Sequence, residues 1–151
     1  MKTCCVTGRR EIPANRIEYV KHELDREVLQ AVEDGYTHFI SGFAEGTDLL
    51  FASIVADHKE ENQALTLEAA LPYRSRIKTK NELFQQLIPK CNMVGIHSES
   101  YNKGCFMKRN IFMVSRSQRV IAVYDRREEG GTYATICYAQ KLKRDIRLIM
   151  I

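Results

Sequence analysis

Four short segments of this chain carry the residue types that hold phosphate or supply a catalytic carboxylate. Thr7-Gly8-Arg9-Arg10 joins a glycine, which lets backbone come close to a ligand, to two guanidiniums suited to bidentate phosphate contact. Ser41-Gly42-Phe43-Ala44-Glu45-Gly46-Thr47-Asp48 has two glycines four apart ahead of a helix start, the composition of a phosphate cradle made from backbone N–H groups. It lacks the Gly-Lys-Ser/Thr ending of a Walker loop and is not G-x-G-x-x-G. Lys103–Asn110 places Lys103, Lys108, Arg109 and Asn110 at the head of a helix, where cations oppose the helix dipole and an anionic ligand would offset them. Asp125–Thr132 ends in Gly130-Gly131-Thr132 at another helix start, with Asp125 at a strand tip where it can hold a ribose hydroxyl. Each segment also has a plainer explanation: a strand-ending turn, a dipole-complementing Asp48, a glycine turn capped by Thr132, solvated arginines.

What must position these loops is an alternation of short apolar runs with amphipathic stretches. Thr3–Thr7, His38–Ser41, Leu65–Leu71, Met93–Ile96, Val120–Tyr124 and Ile146–Ile151 read as strands, most of them near-continuous apolar runs. Ile17, Val20, Leu24, Val28 and Ala31 mark one face of a helix with Asn15 as its expected cap and Gly35 as its stop. Asp48–His58, Lys80–Ile88, Phe106–Ser117 and Thr132–Lys143 read as further helices, and Ser98–Cys105 as a polar loop. Strands that alternate with helices require crossover connections and hence a parallel sheet. The expected fold is α/β: a three-layer, doubly wound, mostly parallel sheet of Rossmann-like type in a single domain over 1–151. In such a sheet ligands bind outside the carboxyl ends of the strands, where the strand order switches. All four segments above fall at carboxyl ends.

Size and composition fit that expectation. A chain of 151 residues with 28% charged and 44% hydrophobic side chains can bury its own core, which excludes a disordered chain. No apolar run approaches the ~18 residues of a membrane span, and the Cys4–Val6 run is too short for an export signal, so the expected location is cytoplasmic, without membrane contact. The five cysteines form no C-x-x-C pair, no histidine stands at zinc-ligand spacing, and no metal site is expected. Adjacent Cys4 and Cys5 should point to opposite faces of a strand, and Cys105, in a polar segment, is the thiol to test for reactivity. His22, His38 and His58 read as structural or solvated, whereas His97 ends a strand at the edge of the site. Charge is uneven: residues 1–75 carry 8 basic and 13 acidic groups (−5), and residues 76–151 carry 15 and 6 (+9). The second half can wall an anionic ligand.

C-V-T-G-R-R (5–10), S-G-F-A-E-G-T-D (41–48), K-R-N (108–110) and V-Y-D…G-G-T (123–132) together resemble the SLOG superfamily, and its YpsA-like branch in particular. That superfamily includes the DprA/Smf single-strand DNA binders and the "lonely guy" phosphoribohydrolases. The resemblance implies a Rossmann-like fold and a nucleotide-derived ligand at these same loops. Gly8 and Arg9 match its first-strand positions, Ser41, Gly42, Gly46 and Asp48 its S-G-x-A-x-G-x-D signature, and Gly130, Gly131 and Thr132 its second glycine motif. The hydrolase pattern P-G-G-x-G-T-x-E is departed from: neither its Pro nor its Glu is here. Hydrolysis would then fall to Asp48, Glu45 or Asp125, with Glu99 in reserve and no visible carboxylate pair.

The expectation is a module that binds a nucleotide or derivative of the ADP-ribose or NAD kind, as a sensor or regulator, with no required cofactor. Its binding residues would be Thr7, Gly8, Arg9, Ser41, Gly42, Phe43, Gly46, Thr47, Asp48, Arg109, Asn110, Asp125, Gly130, Gly131 and Thr132. Two alternatives stand beside it. One is an N-glycosidic hydrolase of the phosphoribohydrolase type. The other is a single-strand nucleic-acid binder, for which Tyr101, Phe106, Tyr124 and Tyr133 would supply stacking and Tyr73-Arg74-Ser75-Arg76 a basic lip. Homodimerisation through the basic second-half helices is also open.

Overall fold

A computed structural model describes residues 1–151. Eleven main elements alternate along the chain: β1 (Lys2–Gly8), α1 (Ile17–Glu33), β2 (Tyr36–Ser41), α2 (Thr47–Glu61), β3 (Thr66–Leu71), α3 (Glu82–Leu87), β4 (Met93–Ile96), α4 (Cys105–Arg116), β5 (Arg119–Tyr124), α5 (Gly130–Lys141) and β6 (Asp145–Met150). The six strands form one sheet in the order β4-β3-β2-β1-β5-β6, and all five pairings are parallel. From β1 the chain steps outward to β4, then returns to the other side of β1 with β5. The strand order therefore switches between β1 and β5, where Gly8 lies in register with Val123. Their carboxyl ends diverge into the 9–11 and 125–129 segments and leave a crevice between them.

The alternation of side chains along the strands divides the interior in two. Cys4, Val6, Leu67, Ala69, Leu71, Ile121 and Val123 face α1, α2 and α3 and build the larger core. Cys5, Ile40, Ala70 and Val120 face α4 and α5 and build a smaller one with Met113, Val114 and Ala139. Cys4 and Cys5 lie on opposite sides as expected, and burial pushes both thiols up, that of Cys5 to about 12. The stripe of α1 is buried at Val20, Leu24, Val28 and Ala31. Its stop is Gly35 at φ +94°, where the left-handed backbone that favours glycine turns the chain into β2.

Three local expectations are corrected. Asn15 does not cap α1: a turn of 3₁₀ helix over Ala14–Arg16 precedes it, and no side-chain bond is made at that end. Cys105 is the first residue of α4 and wholly buried, so its thiol is shielded by packing. His97 does not reach the glycine loops. Its ring packs on Phe112 with centroids 4.2 Å apart, on the α4 side of the sheet beside Glu68 and Arg116. Burial pulls its imidazole below the usual range. On the same side, His38 bonds the Thr66 hydroxyl at 2.6 Å and the Glu68 carboxylate at 2.7 Å, a buried structural group. No helix is long and apolar enough to cross a membrane.

Candidate binding cleft

The crevice at the β1–β5 switch opens into a cleft of about 600 Å³, well within the ~300–1,000 Å³ that small-molecule sites occupy. Its floor is the end of β1, from Thr7 to Arg10. One wall is the head of α4 with Phe106, Arg109 and Asn110, and the other is the start of α5 with Gly131 and Thr132. Asp48 closes the back. Eight of the expected residues thus converge: Thr7, Gly8, Arg9, Asp48, Arg109, Asn110, Gly131 and Thr132. No group of three or more potential metal-binding side chains occurs.

The two glycine-rich junctions behave differently. In the 41–48 segment three amides are already engaged. The Phe43 N–H donates to the Ser41 hydroxyl at 3.2 Å, the Ala44 N–H to the Asp48 carboxylate at 3.2 Å, and the Thr47 N–H to the Arg9 carbonyl at 3.1 Å. Its glycines exist for close packing. A Cβ on Gly46 would come within 2.2 Å of the Arg10 carbonyl oxygen, and at the end of β1 one on Gly8 would come within 2.6 Å of the Thr47 side chain that this segment supplies. A Cβ on Gly42 would meet both the Arg109 guanidinium and the Asp48 carboxylate at 2.7 Å. This segment is a buttress that locks the first loop to α2. Ser41 is fully buried and donates to the Asp48 carbonyl at 2.8 Å, and the Thr47 hydroxyl donates to the Arg9 carbonyl at 2.9 Å. Phe43 points into the core against Phe84 at 5.4 Å, with its backbone at φ +56°. Ser41, Phe43, Gly46 and Thr47 therefore support the cleft and do not line it.

The head of α5 is open. A Cβ on Gly130 or Gly131 would meet nothing within 4 Å. The helix begins at Gly130 with no side chain capping its N–H groups, so Thr132 is not a cap but a side chain in the first turn facing the cleft. Unfilled N–H donors at a helix start favour an anion.

The charged residues also divide. Arg109 is buried, and its Nη1 donates to the Gly42 and Ala70 carbonyls at 2.7 and 3.0 Å while its Nε donates to Asn110 at 2.8 Å. Burial lowers its pKa, and the Asp48 charge partly restores it. Burial pushes the Asp48 carboxyl up, with Arg109 pulling it back down. Asp125 is engaged at the rim: Arg9 Nε lies 3.2 Å from it, and the backbone and side chain of Arg127 donate to it at 3.1 and 2.7 Å. It does not line the cleft. Glu45 is exposed and lines a second, smaller cavity of about 170 Å³ with Pro72, Tyr73 and Arg76. The two cavities adjoin, with Arg10, Ala44, Phe106 and Arg109 lining both. Arg10 and Phe106 are the lining residues that loop-by-loop inspection undervalued. Their signal was faint: a second arginine beside Arg9, and a ring at the start of a helix.

Residues 9–151 match the family described as the YspA SLOG family. A UPF0398 protein of Ligilactobacillus salivarius is 26% identical over 123 residues, covering 78% of this chain and 67% of that protein. One from Bacillus pumilus is 24% identical over 146 residues, covering 87% and 77%. Among solved structures, DNA processing protein A from Helicobacter pylori, described for its single-stranded DNA binding mode, is similar with a TM-score of 0.69 at 19% identity. The match covers 97% of this chain and 64% of that one, so this chain spans just under two thirds of it. The Moco carrier protein of Chlamydomonas rheinhardtii is similar with a TM-score of 0.55 at 14% identity, covering 97% and 74%. At these identities the structural likenesses are of fold.

Proposed function

The chain belongs to the YspA SLOG family, and from that premise we propose that it binds a phosphate-bearing nucleotide derivative in the switch-point cleft, as a sensing or regulatory module. The observation that carries this is the head of α5, whose first-turn glycines are open and uncapped at the rim of a cleft floored by Arg9 and Arg10. Amide donors with the positive end of a helix dipole, opposite two guanidiniums, select a polyanion. The pocket-facing hydroxyls of Thr7 and Thr132 and the amide of Asn110 can orient ribose or phosphate oxygens. DNA processing protein A, with its single-stranded DNA binding mode, and the Moco carrier protein share the fold.

Hydrolysis is the weaker function for this geometry. Asp125 is tied to Arg9 and Arg127, and one oxygen of Asp48 is engaged with the Ala44 amide. A catalytic carboxylate needs a free oxygen at the reacting bond.

The test uses Gly131→Asp. The site has room for the side chain, and a carboxylate in the first turn of a helix favours folding, so the variant repels a bound phosphate without harming the fold. In thermal shift with ADP-ribose, NAD, AMP and ATP, saturating ligand at 100 times its dissociation constant should add roughly 2.7 kcal/mol to the wild type. Gly131→Asp should abolish that shift. A wild type that no nucleotide stabilises, or a variant stabilised equally, overturns the proposal. Release of free base from AMP by the wild type would restore the hydrolase alternative.

A further inference from the structure

On the far side of Arg10 and Arg109 from the phosphate cleft lies the smaller cavity, whose wall is aromatic. Tyr73 and Phe106 line it with ring centroids 6.1 Å apart, and Tyr101 packs edge-on against both at 5.7 and 6.2 Å. Tyr101 is 64% exposed. The Arg10 guanidinium lies over the Phe106 ring at 4.8 Å. Arg76 stands beside it on the wall, and Glu45 supplies the one carboxylate of the lining. Nothing in the core requires these three rings to gather at a carboxyl-end loop. They come from the β3–α3 connection, the β4–α4 connection and the first turn of α4.

Resting on the functional reading above, we propose that this cavity is the base-recognition arm of the site, and that it selects a nucleobase bearing an exocyclic amino group. The phosphates lie on the head of α5, and the base lies on the wall formed by Tyr73 and Phe106, beside the Arg10 guanidinium that covers one face of Phe106. Aromatic and guanidinium planes stack any base. Selectivity comes from the edge. Glu45 is an acceptor only, so it pairs with the amino group of adenine, guanine or cytosine and leaves the carbonyl of hypoxanthine or uracil facing a carboxylate. Arg76 can donate to the ring nitrogens and carbonyls of the same edge. Glu45 is thereby a specificity residue and not the catalyst that its acidity suggests.

The experiment compares dissociation constants of AMP, IMP, CMP, UMP and ribose 5-phosphate for the wild type, Glu45→Ala, Phe106→Leu, Phe106→Tyr and Gly131→Asp. The wild type should bind AMP at least ten-fold more tightly than IMP, and CMP more tightly than UMP, with ribose 5-phosphate weakest. Glu45→Ala should erase both preferences and leave ribose 5-phosphate unchanged. Phe106→Leu should cost AMP about 5- to 100-fold, in line with the stacking energy of one base, and Phe106→Tyr should restore it. Equal affinities for AMP, IMP and ribose 5-phosphate, all lost in Gly131→Asp, overturn the base arm while the phosphate cleft stands. No binding of any probe overturns both. Binding of a twelve-residue oligothymidine alone, falling steeply with salt, overturns the small-ligand proposal in favour of a nucleic-acid strand.

Discussion

The two glycine-rich junctions of this protein look alike as sequence and are opposites as structure. Between β2 and α2 the glycines are small because protein atoms press against them, the Arg10 carbonyl on Gly46 and Arg109 with Asp48 on Gly42, and at the end of β1 Thr47 presses on Gly8 in the same way. Between β5 and α5 they are small with nothing against them. A missing side chain that is filled by the protein builds rigidity, and one that is left unfilled leaves room for a ligand. The first junction holds the floor of the cleft by threading the Arg9 carbonyl between the Thr47 amide and hydroxyl. The second presents its donors to whatever enters.

The strongest way to break this contrast is through Arg109, which ties the buttress together from a distant helix. Arg109→Leu removes the donor shared by the Gly42 and Ala70 carbonyls and leaves the buried Asp48 carboxylate without its cationic neighbour. We expect a loss of about 3–5 kcal/mol in urea unfolding, because one buried partner is removed from a charged set. Adding Asp48→Asn to that variant should recover part of the loss. A loss under about 1 kcal/mol would mean that Arg109 is held for the ligand and not for the fold.

Glycine substitutions sharpen the contrast at the next scale. Gly46→Ala forces a Cβ onto the Arg10 carbonyl at φ +77° and should cost roughly 3 kcal/mol, or about 6–12 °C in melting temperature. Gly130→Ala meets no atom but must hold φ +86°, at about 1–2 kcal/mol. Gly131→Ala is unstrained and unopposed, so its stability should stay within about 1 kcal/mol of the wild type, on either side. Equal costs for Gly46→Ala and Gly131→Ala would erase the distinction between buttress and site.

The smallest effect is one of pH. The folded state raises the Asp48 carboxyl, so it binds a proton more readily folded than unfolded. That contribution is fully favourable below the unfolded value, about 3.9, and is lost as pH rises through the higher folded value. Asn does not titrate. The stability of Asp48→Asn relative to the wild type should therefore rise between pH 4 and 7, measured by chemical unfolding at each pH. A relative stability that falls over that range would show that Arg109 outweighs burial. The exposed carboxylates lowered by arginine partners, Asp34 and Glu99, act in the opposite sense in both proteins and cancel in the comparison.

Much of the fold was legible because its causes are local. The buried stripe of α1 needs only residues three and four apart, and Met93–Ile96 was bounded by its own apolar run. Alternation of strands and helices then required crossovers and a parallel sheet. The carboxyl-end rule pointed to loops that line one cleft, and eight residues expected there meet in it. Errors at element ends were local too: Asn15 has the chemistry of a cap, but a 3₁₀ turn takes its place.

The sequence by itself determined which residues form strands and helices, that the sheet is parallel, and which loops gather at one edge, since periodicity and connection length are properties of neighbours along the chain. Only the tertiary structure decided what each loop residue does there. Gly8 with Thr47, Gly42 with Arg109, and Phe43 with Phe84 are contacts across 39, 67 and 41 positions. Whether a glycine is packed or vacant, an arginine committed or free, and a ring in the core or on the groove depends on atoms brought together by the fold. Composition within a loop carries no record of them.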